Sequence, residues 1–190
     1  MNEKTKKDLI LVIDMQNVYL PAQPWGCSSF SRSCDNIKKI INICENKKHT
    51  DKIYFTKFIH NPEATGTWAE YNIQNKEINN NAWMSEIVDE LKGCASKYPV
   101  LTKSTYSSMS NNILREETKS AYNIVITGVV SECCILATCF EAIDMGLHII
   151  YLKDACSGAN EENEQAAIKI LESMSPVHVT IMTTDEYIER

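Results

Sequence analysis

Three side chains of this sequence have the types needed for acyl transfer: Asp14, Lys103 and Cys134. A thiolate attacks a carbonyl carbon, a carboxylate takes the thiol proton, and an ammonium favours both anions. Cys134 belongs to the stretch IVITGVVSECCIL, residues 124–136. Ile124, Val125, Ile126 and Thr127 are consecutive β-branched residues and read as a strand covered on both faces. Gly128 lets the chain turn sharply. Ser131 is read as the N-cap of the helix that follows, with Cys134 in its first turn. The positive end of the helix dipole is then expected to lower the thiol pKa and favour the nucleophilic form. Backbone N–H groups at the helix start could hold an oxyanion. Cys133 would point about 100° away on the same helix and is expected to pack in the core. Taken singly, each residue also fits an ordinary role: a small core cysteine, a carboxylate capping a loop, a solvated lysine.

The elements that must position these residues alternate between strand and helix. The apolar run 9–13 ends at Asp14, as a parallel strand presenting a carboxylate at its C-terminal end would. A loop with Pro21, Pro24 and Gly26 follows, and Ser33 is read as the cap of a helix over 34–48 with an apolar stripe at Ile37, Ile40, Ile41 and Cys44. Strands are expected at 52–57, 99–102, 147–152 and 177–182, and helices at 83–92 (closed by Gly93), 109–120, 161–174 and 184–188. Residues 60–81 show no period and read as a long loop, which in a compact domain is usually functional. Trp68 and Tyr71 lie in it, and Trp68 is read either as an anchor of the loop or as an apolar wall of a pocket.

This alternation predicts an α/β fold of three layers: a doubly wound, mostly parallel six-stranded sheet with helices on both faces. If the strand order is 3-2-1-4-5-6, strands one and four meet where the order reverses, and ligands bind outside the carboxyl ends there. Asp14, Lys103 and Cys134 then fall on one rim of the sheet. The 190 residues suit one such domain, and no repeat, low-complexity tract or linker divides them.

Composition narrows the partners. A net charge of −6 argues against nucleic acid and against an anionic membrane. No apolar run is long enough to span a bilayer. The lysine-rich start reads as a tail leading into the first strand rather than as a secretion signal, because its apolar run is short and contains Asp14. The 8 cysteines are scattered without any CxxC spacing, so a reduced cytoplasmic protein is expected rather than a disulfide framework or a zinc site.

The motifs carry a resemblance. LVIDMQNVYL resembles the opening motif of the isochorismatase-like cysteine hydrolases, apolar-apolar-Asp-x-Gln-Asn-Asp-Phe. LTKSTYSSM resembles their lysine motif, and TGVVSECCILATCFEAIDMGLHIIYLKDACSG their cysteine signature, in the same order and over nearly the whole chain. The resemblance implies that Asp14, Lys103 and Cys134 are catalytic, with Ser131 at the family's threonine position and Glu132 at its acidic one. It also implies a non-proline cis peptide between Val129 and Val130 and an oxyanion hole from the backbone N–H groups of Val130 and Cys134. Gln16, Tyr19, Trp68 and Val129 are the expected substrate-contacting residues. A small amide, carbamoyl or ureido compound is the expected substrate and a dimer or tetramer the expected assembly.

Several residues depart from the family pattern. Val18 replaces an acidic residue, Tyr19 a phenylalanine, and Met109 a phenylalanine. The nicotinamidase branch holds a metal with Asp-x-His and a further histidine, whereas this chain has Phe58 at the aspartate position and keeps only His60. No catalytic metal and no other cofactor are therefore expected. The alternatives are a nicotinamidase or isochorismatase-type activity, or a non-catalytic binding protein that keeps the fold. Cys134 favours C–N hydrolysis over vinyl-ether cleavage, and a catalytic thiolate is expected to label first among the 8 cysteines. Because a phenyl ring cannot ligate a metal, turnover is expected to survive EDTA treatment and dialysis, with parallel metal analysis of the purified protein as the check.

Overall fold

The computed structural model describes residues 7–46 and 52–190. The N-terminal tail and the expected last two residues of the first helix lie outside them. Six strands form one all-parallel sheet: β1 (Lys7–Ile13), β2 (Lys52–Phe58), β3 (Val100–Lys103), β4 (Ala121–Val129), β5 (His148–Ser157) and β6 (Val179–Met182), in the order β3-β2-β1-β4-β5-β6. This is the doubly wound order expected. The helices are α1 (Phe30–Asn46), α2 (Thr67–Gln74), α3 (Lys76–Asn79), α4 (Asp89–Ala95), α5 (Asn112–Thr118), α6 (Leu136–Asp144), α7 (Glu161–Glu172) and α8 (Thr184–Ile188). No helix among the described residues is long and apolar enough to cross a membrane.

Strand periodicity of two splits the interior into two cores. Ile10 and Val12 of β1 point to one face and pack with Ile37, Ile40 and Ile41 of α1 and Leu91 of α4. Leu9, Leu11 and Ile13 point to the other and pack with Leu114 of α5, Cys139 and Ala142 of α6 and Leu171 of α7. Every one of these side chains is at most 1% exposed, so β1 is covered on both faces.

Local structure departs from the sequence reading in four places. Residues 60–81 are not a structureless loop but contain α2 and α3. Their period is hidden because no residue of either helix is fully buried. Within α2, Trp68 and Tyr71, one turn apart, meet as rings at 5.3 Å. The helix expected from residue 83 starts only at Asp89 and runs through Gly93. The backbone before it is used by the loop after β1: Asn17 and Val18 N–H donate to the carbonyls of Glu86 and Met84, and Val88 N–H donates to that of Met15. The helix expected over 109–120 is a short 3₁₀ turn, Ser108–Ser110, followed by α5, which Asn111 caps by accepting from Ile113 and Leu114 N–H. Helix α1 begins at Phe30, so Ser33 lies inside it and caps nothing.

Gly128 is where the fold leaves least room. It pairs with Ile13 across β1 and β4, has φ of 109°, and a Cβ there would collide with the Ile13 main chain. A Gly128→Ala variant is expected to lose on the order of 3 kcal/mol of stability, read as a lowered urea midpoint.

Candidate active site

The strand order delivers the three reactive side chains to one point. Asp14 leaves the end of β1, Lys103 is the last residue of β3, and Cys134 lies just past β4. Lys103 Nζ sits 2.7 Å from Asp14 Oδ2 and donates to Cys134 Sγ at 3.3 Å and to Thr105 O at 3.0 Å. The side chains of Asp14 and Lys103 are fully buried, and Cys134 is 3% exposed.

Asp14 has φ of 52°, in the left-handed region that non-glycine residues seldom occupy. Its conformation is held from both sides. Asp14 N–H donates to Thr56 O at 3.1 Å, and Asp14 O accepts from Gln16 N–H at 2.7 Å. Thr56 Oγ1 donates to Asp14 Oδ1 at 2.8 Å.

Burial and the Asp14 charge push the Cys134 thiol up to about 12, against the opposing pull of Lys103. The expected helix-dipole lowering is therefore overturned: desolvation in a closed site outweighs a partial charge. The segment itself also differs. Residues Ser131–Ile135 form a single π turn ahead of α6, with Ile135 N–H donating to Val130 O. Ser131 makes no side-chain cap; its hydroxyl instead lies 3.4 Å from that of Tyr151. Burial alone would lower the pKa of Lys103, but Asp14 and Cys134 together outweigh it and hold the ammonium above its ordinary value.

Cys133 is half-buried, not a core residue, and is more accessible than Cys134. The peptide between Val129 and Val130 is cis. Val129 is fully buried in the core and Val130 packs against it.

Gln16 was expected to contact substrate, yet its amide is engaged by backbone. Its Oε1 accepts from Phe58 N–H at 2.8 Å, and its Nε2 donates to Phe58 O at 3.1 Å and Ser85 O at 2.9 Å. Gln16 thus clamps the end of β2, and the Phe58 ring lies 5.5 Å from Lys103 Nζ.

A continuous aromatic wall extends from Phe58. It packs on Trp25 at 6.0 Å, Trp68 at 6.2 Å and Tyr71 at 6.2 Å, and Trp68 continues to Tyr106 at 5.0 Å. Tyr19 joins through Trp25 at 5.6 Å. Burial raises the phenol pKa values of Tyr19, Tyr71 and Tyr106, with smaller contributions from neighbouring titratable groups.

His60 lies apart from the buried trio, lining a small cavity of about 80 Å³ with Gln16, Trp25, Phe58, Asn79 and Met84. Among the described residues, no three His, Cys, Asp or Glu side chains gather as a metal site would need.

Sequence reasoning missed Thr56, Trp25, Tyr106 and Thr138. Thr138 Oγ1 donates to Cys134 O at 2.6 Å and accepts from Ser108 N–H at 2.9 Å, tying the cysteine turn to the loop after Lys103. Threonine in a strand or helix is too common to stand out. Only the pairing of distant segments reveals these roles.

A buried thiol, carboxylate and ammonium at the switch point of a doubly wound sheet define the class of isochorismatase-like cysteine hydrolases. The family model described as Isochorismatase domain matches residues 8–186, and the chain belongs to that family. It is 27% identical over 164 residues to Nicotinamidase 3 of Arabidopsis thaliana, covering 84% of this chain and 77% of that protein. Its fold is similar to a cysteine hydrolase from Pseudomonas syringae pv. phaseolicola, at 17% identity and a TM-score of 0.81, over 96% of this chain and 91% of the other. It is likewise similar to N-carbamoylsarcosine amidase from Thermoplasma acidophilum, at 18% identity and a TM-score of 0.72, over 94% and 97% of the two chains.

The burial and raised pKa of Cys134 reverse the labelling order expected from sequence. At neutral pH, iodoacetamide is expected to modify half-buried Cys94 and Cys133 before Cys134, measured by peptide mass spectrometry over time.

Proposed function

We propose that this isochorismatase-family hydrolase cleaves the C–N bond of a small amide, carbamoyl or ureido substrate through a thioester on Cys134. The observation that carries the reading is the contact of one buried ammonium with both a carboxylate and a thiol: Lys103 Nζ to Asp14 Oδ2 at 2.7 Å and to Cys134 Sγ at 3.3 Å. The relationships to a nicotinamidase and to the fold of a carbamoylsarcosine amidase support the same class of bond.

The resting state follows from the electrostatics. With its pKa pushed up to about 12, Cys134 rests as a thiol at neutral pH. Asp14 therefore takes the thiol proton as sulfur bonds to the carbonyl carbon. The charge moves to the substrate oxygen, and the backbone N–H groups of Val130 and Cys134 are the donors assigned to it. When the C–N bond breaks, Asp14 returns the proton to the departing nitrogen. Water then gives a proton to Asp14 and attacks the thioester. The C–S bond breaks, the acid leaves, and the proton returns to sulfur. Lys103 keeps its charge throughout and favours whichever neighbour is anionic.

The aromatic wall offers the substrate an apolar surface of tilted rings, with Tyr19 and Trp68 as its proposed contacts. Excluding water there strengthens the interactions within the buried triad. A screen of small amides, carbamoyl and ureido compounds with ammonia release as readout tests the activity. With any substrate found, Cys134→Ala is expected to lower kcat by at least about 10³-fold while the melting temperature holds. Cys133→Ala is expected to retain kcat within about threefold. Undiminished turnover by Cys134→Ala would end the mechanism.

A further inference from the structure

We propose that Thr56 is a positioning residue that fixes which oxygen of Asp14 exchanges a proton with the Cys134 thiol. The inference rests on Asp14 serving as the base, as proposed above, and concerns how that base is aimed.

Thr56 lies on β2, between the strands that carry Asp14 and Lys103, and is 1% exposed. It holds Asp14 at two levels. Its carbonyl accepts the Asp14 N–H at 3.1 Å, and its hydroxyl donates to Asp14 Oδ1 at 2.8 Å. The first bond supports the left-handed backbone that turns the carboxylate inward. The second occupies one carboxylate oxygen and leaves the other.

Among the described residues no aligned hydrogen bond reaches Asp14 Oδ2, although it faces the Lys103 ammonium at 2.7 Å. A carboxylate ordinarily offers two equivalent oxygens to a proton. Here they are made unequal. A proton on Oδ1 would turn that oxygen into a competitor with the Thr56 hydroxyl proton, whereas Oδ2, beside the Lys103 ammonium, has no hydroxyl donor on it. The same ammonium touches both Oδ2 and the sulfur, so Oδ2 is the oxygen on the side of the reacting thiol.

The groups that face Asp14 are Lys103 from β3, Cys134 from the π turn and Tyr19 from the turn after β1. Beside them, the Thr56 hydroxyl is a neutral donor to Asp14 Oδ1. A donor to the ionised form stabilises that form, and its removal favours protonation. The acid limb of the reaction therefore moves to higher pH when the hydroxyl is lost. The orientation of the carboxylate is also freed, because Oδ1 is left buried without its partner.

The experiment uses p-nitrophenyl acetate, a small activated ester that acylates the thiol, with the nitrophenolate burst followed from pH 4 to 9 (conditions of about that span). Thr56→Val keeps the side-chain shape and removes the hydroxyl; Thr56→Ser keeps the hydroxyl. In Thr56→Val the Cys134-dependent burst rate is expected to fall on the order of tenfold and its acid limb to move to higher pH. Thr56→Ser is expected to restore both. A purely structural role would lower the melting temperature of the valine variant without moving the limb. If the parent and the two variants share one acid limb while Asp14→Asn abolishes it, Asp14 is the base and the role given to Thr56 is wrong. If Asp14→Asn keeps the parent's limb, the base itself is misassigned and both proposals fall.

Discussion

The buried contact between Lys103 and Asp14 is the constraint around which the rest is arranged. Two opposite charges with fully buried side chains are costly to desolvate, and each is sustained by the partners the fold supplies. Asp14 receives the Thr56 hydroxyl, and Lys103 donates to Thr105 O and Cys134 Sγ and lies beside the Phe58 ring. Losing either charge would strand the other in a fully buried site. The sheet order makes the contact possible. Lys103 leaves β3, two strands from β1, a separation of roughly 10 Å at the usual strand spacing. Only a long, flexible side chain lying over the end of β2 reaches Asp14 from there.

That path explains why β2 supplies so much of the support. Phe58 is the register partner of Lys103, so its ring stands beside the lysine stem and shields the ammonium. Gln16 locks Phe58 by accepting its N–H and donating to its carbonyl, the pattern one strand residue offers another. Thr56, two residues earlier on the same face, reaches the carboxylate. One short strand thus orients both members of the ion pair.

The aromatic side of the site is built differently. Tyr19, Trp25, Phe58, Trp68, Tyr71 and Tyr106 come from four separate segments and meet as one wall. Phe58 joins the two systems, since it touches the ammonium on one side and the wall on the other. Burial pushes the Cys134 thiol up to about 12 and leaves the residue 3% exposed. A cysteine enclosed in this way is shielded from solvent oxidants and alkylators.

Much of this was legible in the sequence. Consecutive β-branched residues at 124–127 and the apolar run at 9–13 fix central strands because burial on both faces leaves no place for a polar side chain. Strand–helix alternation, with the handedness of crossovers, then leaves few orders for the sheet. Asp14, Lys103 and Cys134 could be singled out because each ends or follows a strand on the same rim. The helices at 67–79 were not legible, because they bury no residue fully and therefore carry no period. The start of α4 was not legible either, because the backbone of residues 83–88 is recruited by Asn17 and Val18, sixty and more positions away. The direction of the Cys134 pKa shift was not legible for a related reason. A dipole is a property of local sequence, but desolvation depends on everything packed around the sulfur. The sequence by itself determined which chemistry was available and on which edge of the sheet it would lie. Tertiary structure alone decided which groups meet the Asp14 carboxylate, what shields the ammonium and how deeply the cysteine is buried, because those depend on contacts between segments that share no local signal.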